Sequence, residues 1–151
     1  MKLYVLNGPN LNLLGIREPD IYGKKSYSEL IELIEAYAEE RGIEVVCRQS
    51  NHEGDLVDWI HEAYFEKADG IIINPGAYTH TSIAIMDAVK GVAIPAVEVH
   101  ISDISKRDSF RQISYIRKAC VATVSGEGFE GYLKAVDILE KMERPGQGVS
   151  E

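Results

Sequence analysis

Glu98 and His100 stand two residues apart in the run Ala96-Val97-Glu98-Val99-His100, so in an extended strand their side chains share a face. A carboxylate so placed selects the imidazole's tautomer and raises its basicity, as proton transfer requires. A second acid-base candidate lies near the N-terminus, where Tyr22 follows Arg17 by five residues. A free phenol has a pKa of about 10 and must lose roughly two to three units, about 3 to 4 kcal/mol, to act as a base near neutrality. The Arg17 guanidinium is the nearby cation that would stabilise the phenolate. Each residue also has a plainer reading. His100 reads equally as a strand-end histidine satisfied by a neighbour, Tyr22 as an aromatic anchor of its loop, and Arg111 as either a surface residue or a fork for an anion. Spacing alone leaves these alternatives open.

Other chemistries lack their motifs. There is no GxxxxGK[ST], no G-x-G-x-x-G and no G-x-S-x-G, so neither a nucleotide cradle nor an activated serine is in view. His52-Glu53 and His61-Glu62 begin like zinc-protease helices, but the fifth residues are Leu56 and Phe65, so both histidines read as surface or capping groups. Cys47 and Cys120 are far apart, each in an apolar strand-like run, and read as buried reduced thiols, not a disulfide or metal pair. Lys24, Lys25 and Lys106 stand in polar loops, whereas a Schiff-base lysine would want an apolar pocket. Asp plus Glu outnumber Lys plus Arg by 24 to 16, a net charge of −8, which denies a nucleic-acid partner its basic stripe. With no membrane-length apolar run and no leader pattern at the N-terminus, a soluble, cytoplasmic protein is expected.

The elements that must position these residues alternate. Short apolar runs at 3–6, 45–48, 70–73, 96–99 and 121–124 predict strands. Ser26 with Glu29 predicts a capping box opening a helix with Leu30, Leu33, Ile34, Tyr37 and Ala38 on one face, ended by Gly42. A second helix is predicted from about Gly54 to Ala68, its inward face Leu56, Val57, Ile60, Ala63 and Tyr64. A third opens at Ser82 and runs through Ile83, Ile85, Met86 and Val89 to Gly91; a fourth carries Tyr132, Leu133, Val136 and Leu139. Apolar strands alternating with amphipathic helices predict an α/β fold, an open doubly wound parallel sheet with helices on both faces. Its 151 residues suit one domain, expected to span 1–143 with a flexible tail at 144–151. In such folds ligands bind beyond the carboxyl ends of the strands. The unusual polar residues collect there: Asn7, Asn10, Arg17 and Tyr22 after the first strand, 74–80 after the third, and Glu98, His100, Ser102, Arg107 and Arg111 around the fourth. The loop at 7–23 is too long for a bare connection; its Leu11, Leu13, Leu14, Ile16 and Ile21 predict that it packs down, like a lid, with 17–22 moving on ligand closure and 7–10 fixed beside the strand.

Several blocks together closely resemble the type II 3-dehydroquinate dehydratases. They are Asn-Gly-Pro-Asn-Leu-Asn-Leu-Leu-Gly at 7–15, Arg17-Glu18-Pro19, Tyr22-Gly23, Gln49-Ser50-Asn51 with Glu53-Gly54, Asn74-Pro75-Gly76-Ala77-Tyr78-Thr79-His80-Thr81-Ser82, and Glu98-Val99-His100-Ile101-Ser102 with Phe110-Arg111. Order and spacing match from Lys2 to about Leu139. The resemblance implies a flavodoxin-like three-layer α/β/α domain with a five-stranded parallel sheet, assembled as trimers and usually as a homododecamer. It implies reversible dehydration of 3-dehydroquinate to 3-dehydroshikimate, in aromatic biosynthesis or quinate catabolism, with neither metal nor cofactor. By position, Tyr22 resembles the proton acceptor, Arg17 the transition-state stabiliser, Asn10 the amide beside the enolate, His100 the proton donor and Glu98 its orienting carboxylate. Asn74, His80, the Ile101 and Ser102 amides and Arg111 resemble the substrate clamp, and Asp87 a residue that reaches a neighbouring subunit's site. Asp103 stands where the family commonly has asparagine, and an extra charge there is expected to weaken affinity for an anion unless Arg107 or solvent takes it up. Met86 replaces a residue that is often polar or basic in the family and is expected to affect packing or assembly, not chemistry.

Overall fold

The computed structural model describes residues 1–16, 20 and 25–142. Arg17, Ile21 and Tyr22, the lid stretch and the tail at 144–151 therefore fall wholly or mostly outside the described residues. Among those described, the strands and α-helices follow one another as β1 (Lys2–Asn7), α1 (Tyr27–Glu40), β2 (Glu44–Gln49), α2 (Glu53–Phe65), β3 (Gly70–Asn74), α3 (Ile83–Val92), β4 (Ala96–His100), β5 (Ala122–Ser125) and α4 (Glu130–Lys141), alternating except between β4 and β5, which only short helical turns connect. The strands form one parallel sheet in the order β2-β1-β3-β4-β5. The chain order reverses between β1 and β3, so a crevice opens there beyond the carboxyl ends of the strands.

Strand alternation divides the core in two. Leu3, Val5, Ile72, Val97, Val99 and Val124 face α1 and α4, while Tyr4, Leu6, Ile71, Ile73 and Ala96 face α2 and α3. The interiors of the three central strands, β1, β3 and β4, are left no water, which is why their runs are apolar and largely β-branched, whereas the edge strands β2 and β5 keep partly exposed side chains. Each fully buried aliphatic side chain is worth roughly 1.5–3 kcal/mol, so these two layers carry the fold. The helix starts follow their sequence signals. Ser26 Oγ accepts from the Glu29 amide at 3.2 Å, and Ser82 Oγ accepts from the Ile85 amide at 2.9 Å. No helix among the described residues is long and apolar enough to cross a membrane.

Some local expectations are overturned. Tyr64 is not on the inward face of α2: it is 54% exposed and makes an edge-to-face contact with Phe65, itself 77% exposed. The buried stripe is Leu56, Ile60 and Ala63, and position 64 falls at its margin, where no other layer covers it. α3 does not stop at Gly91 but continues to Val92 and ends on Ala93 at φ +56°. The extra residues let Val92 and Ile94 pack against the core, and the alanine bears the left-handed conformation that glycine would have taken more cheaply. Both thiols are free, as expected, but half-buried instead of fully buried. In the first loop Leu11 and Leu14 pack into the core while Leu13 and Ile16 stay exposed, because a short helical turn at Leu11–Leu13 turns only one side inward.

Two glycines seat the crevice loops against each other. A Cβ on Gly8 would lie 2.2 Å from the Pro75 carbonyl oxygen, and Gly76, at φ +60°, would place one 3.0 Å from the Pro9 carbonyl oxygen. The loops after β1 and β3 can meet only because these side chains are missing. Gly8→Ala is expected to cost about 2 kcal/mol or more, read as a lower urea midpoint at unchanged m-value. Gly54→Ala, whose Cβ meets open space in the first turn of α2, is expected to leave the midpoint unchanged or slightly raised.

Candidate active site

Where β4 ends, the side facing α2 and α3 turns polar: Glu98 follows Ala96 on that face and is fully buried, and His100, 5% exposed, comes next. A bare carboxylate could not survive there. Glu98 instead gathers donors from three elements. His100 Nε2 and Ser114 Oγ, the latter at 2.7 Å, donate to Oε2, with Arg117 Nη2 3.4 Å away. Arg117 Nε and Thr123 Oγ1 donate to Oε1, each at 3.1 Å. Burial by itself would raise the Glu98 pKa, but hydrogen bonds from His100 and Arg117, the imidazole's charge and the Ser114 hydroxyl together hold it down to about 2. Because Nε2 faces a carboxylate, it carries a proton and Nδ1 is left as the ring nitrogen for exchange.

On the opposite face, Asn7 and Asn74 are paired neighbours at the ends of β1 and β3, beneath Tyr132 of α4. Asn74 Nδ2 donates to the Tyr132 hydroxyl at 3.0 Å, which donates to Asn7 Oδ1 at 2.6 Å. Asn74 Oδ1 accepts from the Gly76 amide at 3.2 Å, so its amide plane is held while one N–H and one lone pair remain for a ligand. Burial raises the Tyr132 pKa strongly, which keeps this hydroxyl a donor. Asn10 sits at φ +69°, and its amide N–H donates to Asn51 Oδ1 at 3.0 Å. Gln49 Nε2 ties the same loop down through the Gly8 carbonyl at 3.2 Å, so residues 7–10 are anchored beside the strand end.

These strand ends enclose a cleft of about 590 Å³, counting its open mouth. Asn10, Asn74, His80, His100, Ile101, Ser102 and Arg111 line it together, and Arg107 joins them. The carbonyls of Ile101 and Ser102 are occupied by the Gly128 amide at 3.0 Å and Ser125 Oγ at 3.3 Å. His80 Nδ1 must donate to the Ile113 carbonyl, 2.7 Å away, because that oxygen can only accept. Burial, against that hydrogen bond but with help from His100, Arg111 and Arg107, lowers the His80 pKa, so near neutrality the ring offers a lone pair at Nε2. Arg107 and Arg111 bring two positive charges to this edge of a chain whose net charge is −8.

Not every expected residue is gathered here. Asp87 is exposed on α3 and lines a separate groove with His61, Tyr64 and Phe65. Arg17 and Tyr22 lie outside the described residues. Asp103 turns from the cleft: Oδ1 accepts from the Ser105 amide at 3.0 Å and from Ser105 Oγ at 2.6 Å, while Lys106 Nζ lies 4.0 Å from Oδ2. Those two Ser105 bonds, with the Lys106 charge, lower its pKa. Met86 is half-buried against the α2–α3 core, a packing position. Sequence reading missed Ser114, Thr123 and Arg117. None of the three carried a sequence signal, since Thr123 comes to lie across from Glu98 only through the pairing of β4 with β5.

A doubly wound parallel sheet whose strand ends gather a buried carboxylate–imidazole couple and two arginines around one cleft has the architecture of an α/β enzyme. Residues 1–140 match the class II dehydroquinase family model, and the chain belongs to that family. It is 58% identical over 140 residues to a 3-dehydroquinate dehydratase of Clostridium perfringens (strain ATCC 13124), covering 93% of this chain and 97% of the relative. A protein of the same name from Caldicellulosiruptor bescii is 55% identical over 141 residues, at coverages of 93% and 97%. The crystal structure of the type II dehydroquinase from Butyrivibrio crossotus DSM 2876 superposes with a TM-score of 0.93 at 51% identity, covering 93% of this chain and 98% of that one.

The Glu98 network has a pH consequence. Its folded pKa lies below the ordinary 4.5, so it contributes stability that is fully present above that value and lost as pH falls toward about 2. Acid unfolding is expected to steepen across that window. Glu98→Gln is expected to flatten that dependence and to lower stability at neutral pH by roughly 3 kcal/mol, since the Arg117 and His100 donors lose their anion; circular dichroism against pH measures both.

Proposed function

We propose that this chain catalyses the reversible dehydration of 3-dehydroquinate to 3-dehydroshikimate through an enolate. The observation that carries the reading is the Glu98–His100 couple at the base of a cleft lined by arginines, in a chain of this family. The Tyr22 phenolate, stabilised by Arg17, removes the proton beside the ketone. Negative charge moves to the carbonyl oxygen, where Asn10 helps hold a water against it. The enolate collapses to expel the hydroxyl, and His100 supplies the proton with which it leaves as water, Glu98 keeping the ring in place. Asn74, His80, the Ile101 and Ser102 amides and Arg111 hold the ring hydroxyls and carboxylate. The substrate gives one proton to Tyr22 and its departing hydroxyl takes one from His100, and no step calls on a metal or cofactor.

The same reading assigns the catalytic unit to residues 1–143 with 144–151 as a tail, in a cytoplasmic, trimer-based homododecamer in which Asp87 serves a neighbour's cleft. The exposed Tyr64 and Phe65 beside Asp87 support a subunit contact there. Biosynthesis of aromatic compounds and quinate catabolism share this reaction.

Added 3-dehydroquinate is expected to yield the ultraviolet absorbance of a conjugated enone, undiminished by chelator, and borohydride is expected to trap no covalent adduct. Tyr22→Phe is expected to lower kcat by about 100-fold or more; near-normal turnover would remove the tyrosine from the mechanism. Because the Asp103 carboxylate is engaged by Ser105, Asp103→Asn is expected to leave KM within about twofold. A marked fall in KM would mean that this charge reaches the substrate after all.

A further inference from the structure

We propose that Arg117 is a positioning residue for the acid-base couple: by sharing the Glu98 carboxylate with His100, it limits how strongly that carboxylate stabilises the protonated imidazole and so makes His100 a stronger acid at Nδ1. The proposal rests on the reaction assigned above. Glu98 is fully buried, and its compensating charge is divided between His100 at Oε2 and Arg117, which donates through Nε to Oε1 at 3.1 Å and reaches Oε2 through Nη2 at 3.4 Å. A carboxylate answered by the imidazole alone would hold the protonated ring as its sole counterion. Expelling hydroxide needs the opposite, a ring that gives its proton up when the carbon–oxygen bond breaks. A second, permanent cation on the same carboxylate meets that need, because its charge persists when the imidazole becomes neutral.

The groups around His100 leave this role to Arg117. Glu98 lies on the same strand; His80 faces from the Gly76–His80 turn, and Arg107 and Arg111 from the segment that follows β4. The Cys120 thiol lies near Glu98, and burial and that carboxylate push its pKa up to about 12, so it stays uncharged. Arg107 and Arg111 line the cleft, whereas Arg117 is bonded to Glu98 itself. Its side chain is 45% exposed, and its turn, Ile116–Ala119, is anchored independently by the fully buried Ile116. Replacing it therefore opens no cavity.

The test compares the pH profiles of the full-length parent, Arg117→Gln and Arg117→Lys. Losing the cation is expected to lower kcat by roughly 3- to 10-fold with KM within about twofold, and to move the alkaline limb, where the donor loses its proton, upward by about half a unit to one unit. Lysine is expected to restore most of both effects. A superimposable profile for the glutamine variant, an effect on KM alone, or a lysine variant no better than glutamine would overturn the proposal. Imidazole titration by NMR reads the same coupling without substrate: the His100 midpoint is expected to rise in Arg117→Gln relative to the parent, and an unmoved midpoint overturns the proposal. A parent inactive on 3-dehydroquinate would instead overturn the assigned reaction, with the NMR comparison still deciding the role of Arg117.

Discussion

A parallel sheet covered on both faces offers a polar side chain no water until its strands end. That constraint organises this molecule. Asn7, Asn74 and His100 occupy the last positions of β1, β3 and β4, and because all three strands run the same way they arrive at one edge. Glu98 is the exception, one pleat deeper than the edge and without exposure. Its charge persists there only through donors from β4, β5 and the segment at 114–117. A group so costly to bury stays fixed while every donor is in place, and fixed geometry is what proton transfer from His100 requires.

Rigidity extends from this couple to the rest of the cleft by two independent means. Missing side chains at Gly8 and Gly76 let the loops after β1 and β3 touch through their backbones. Beneath them the chain from Asn74 through Tyr132 to Asn7 uses the tyrosine hydroxyl once as acceptor and once as donor, which allows a single orientation for each amide. The cleft is also where the electrostatics of an acidic chain are inverted, because Arg107 and Arg111 line it close to His80 and His100. Burial and these positive neighbours keep His80 neutral near physiological pH, leaving His100 as the histidine coupled to a carboxylate. Two imidazoles in one cleft thus have different roles set by their surroundings.

The family membership and the succession of strands and helices were legible in the sequence for different reasons. Alternation of apolar runs with helix-period stripes is a local property, so β1 to β5 and the caps at Ser26 and Ser82 could be read directly. The pairing of Glu98 with His100 was legible because period-two geometry acts within one strand. Tyr64 and the end of α3 at Gly91 were misjudged where the outcome depends on what lies opposite a helix end, which local periodicity does not encode. Asp103 drew attention as a charge beside the cleft, yet its direction was decided by a serine two residues on that offers two donors.

By itself, then, the sequence determined the doubly wound architecture, the edge on which the polar residues collect and the acid-base pair on β4, since all three follow from spacing along the chain. Only the tertiary structure decided who shares the buried carboxylate. Arg117 and Thr123 are 19 and 25 residues away from Glu98 in the chain, and Tyr132 is 125 from Asn7. Such partners are chosen by the closing of layers around the sheet, where an unpaired buried polar group costs several kcal/mol and any donor within reach is taken up.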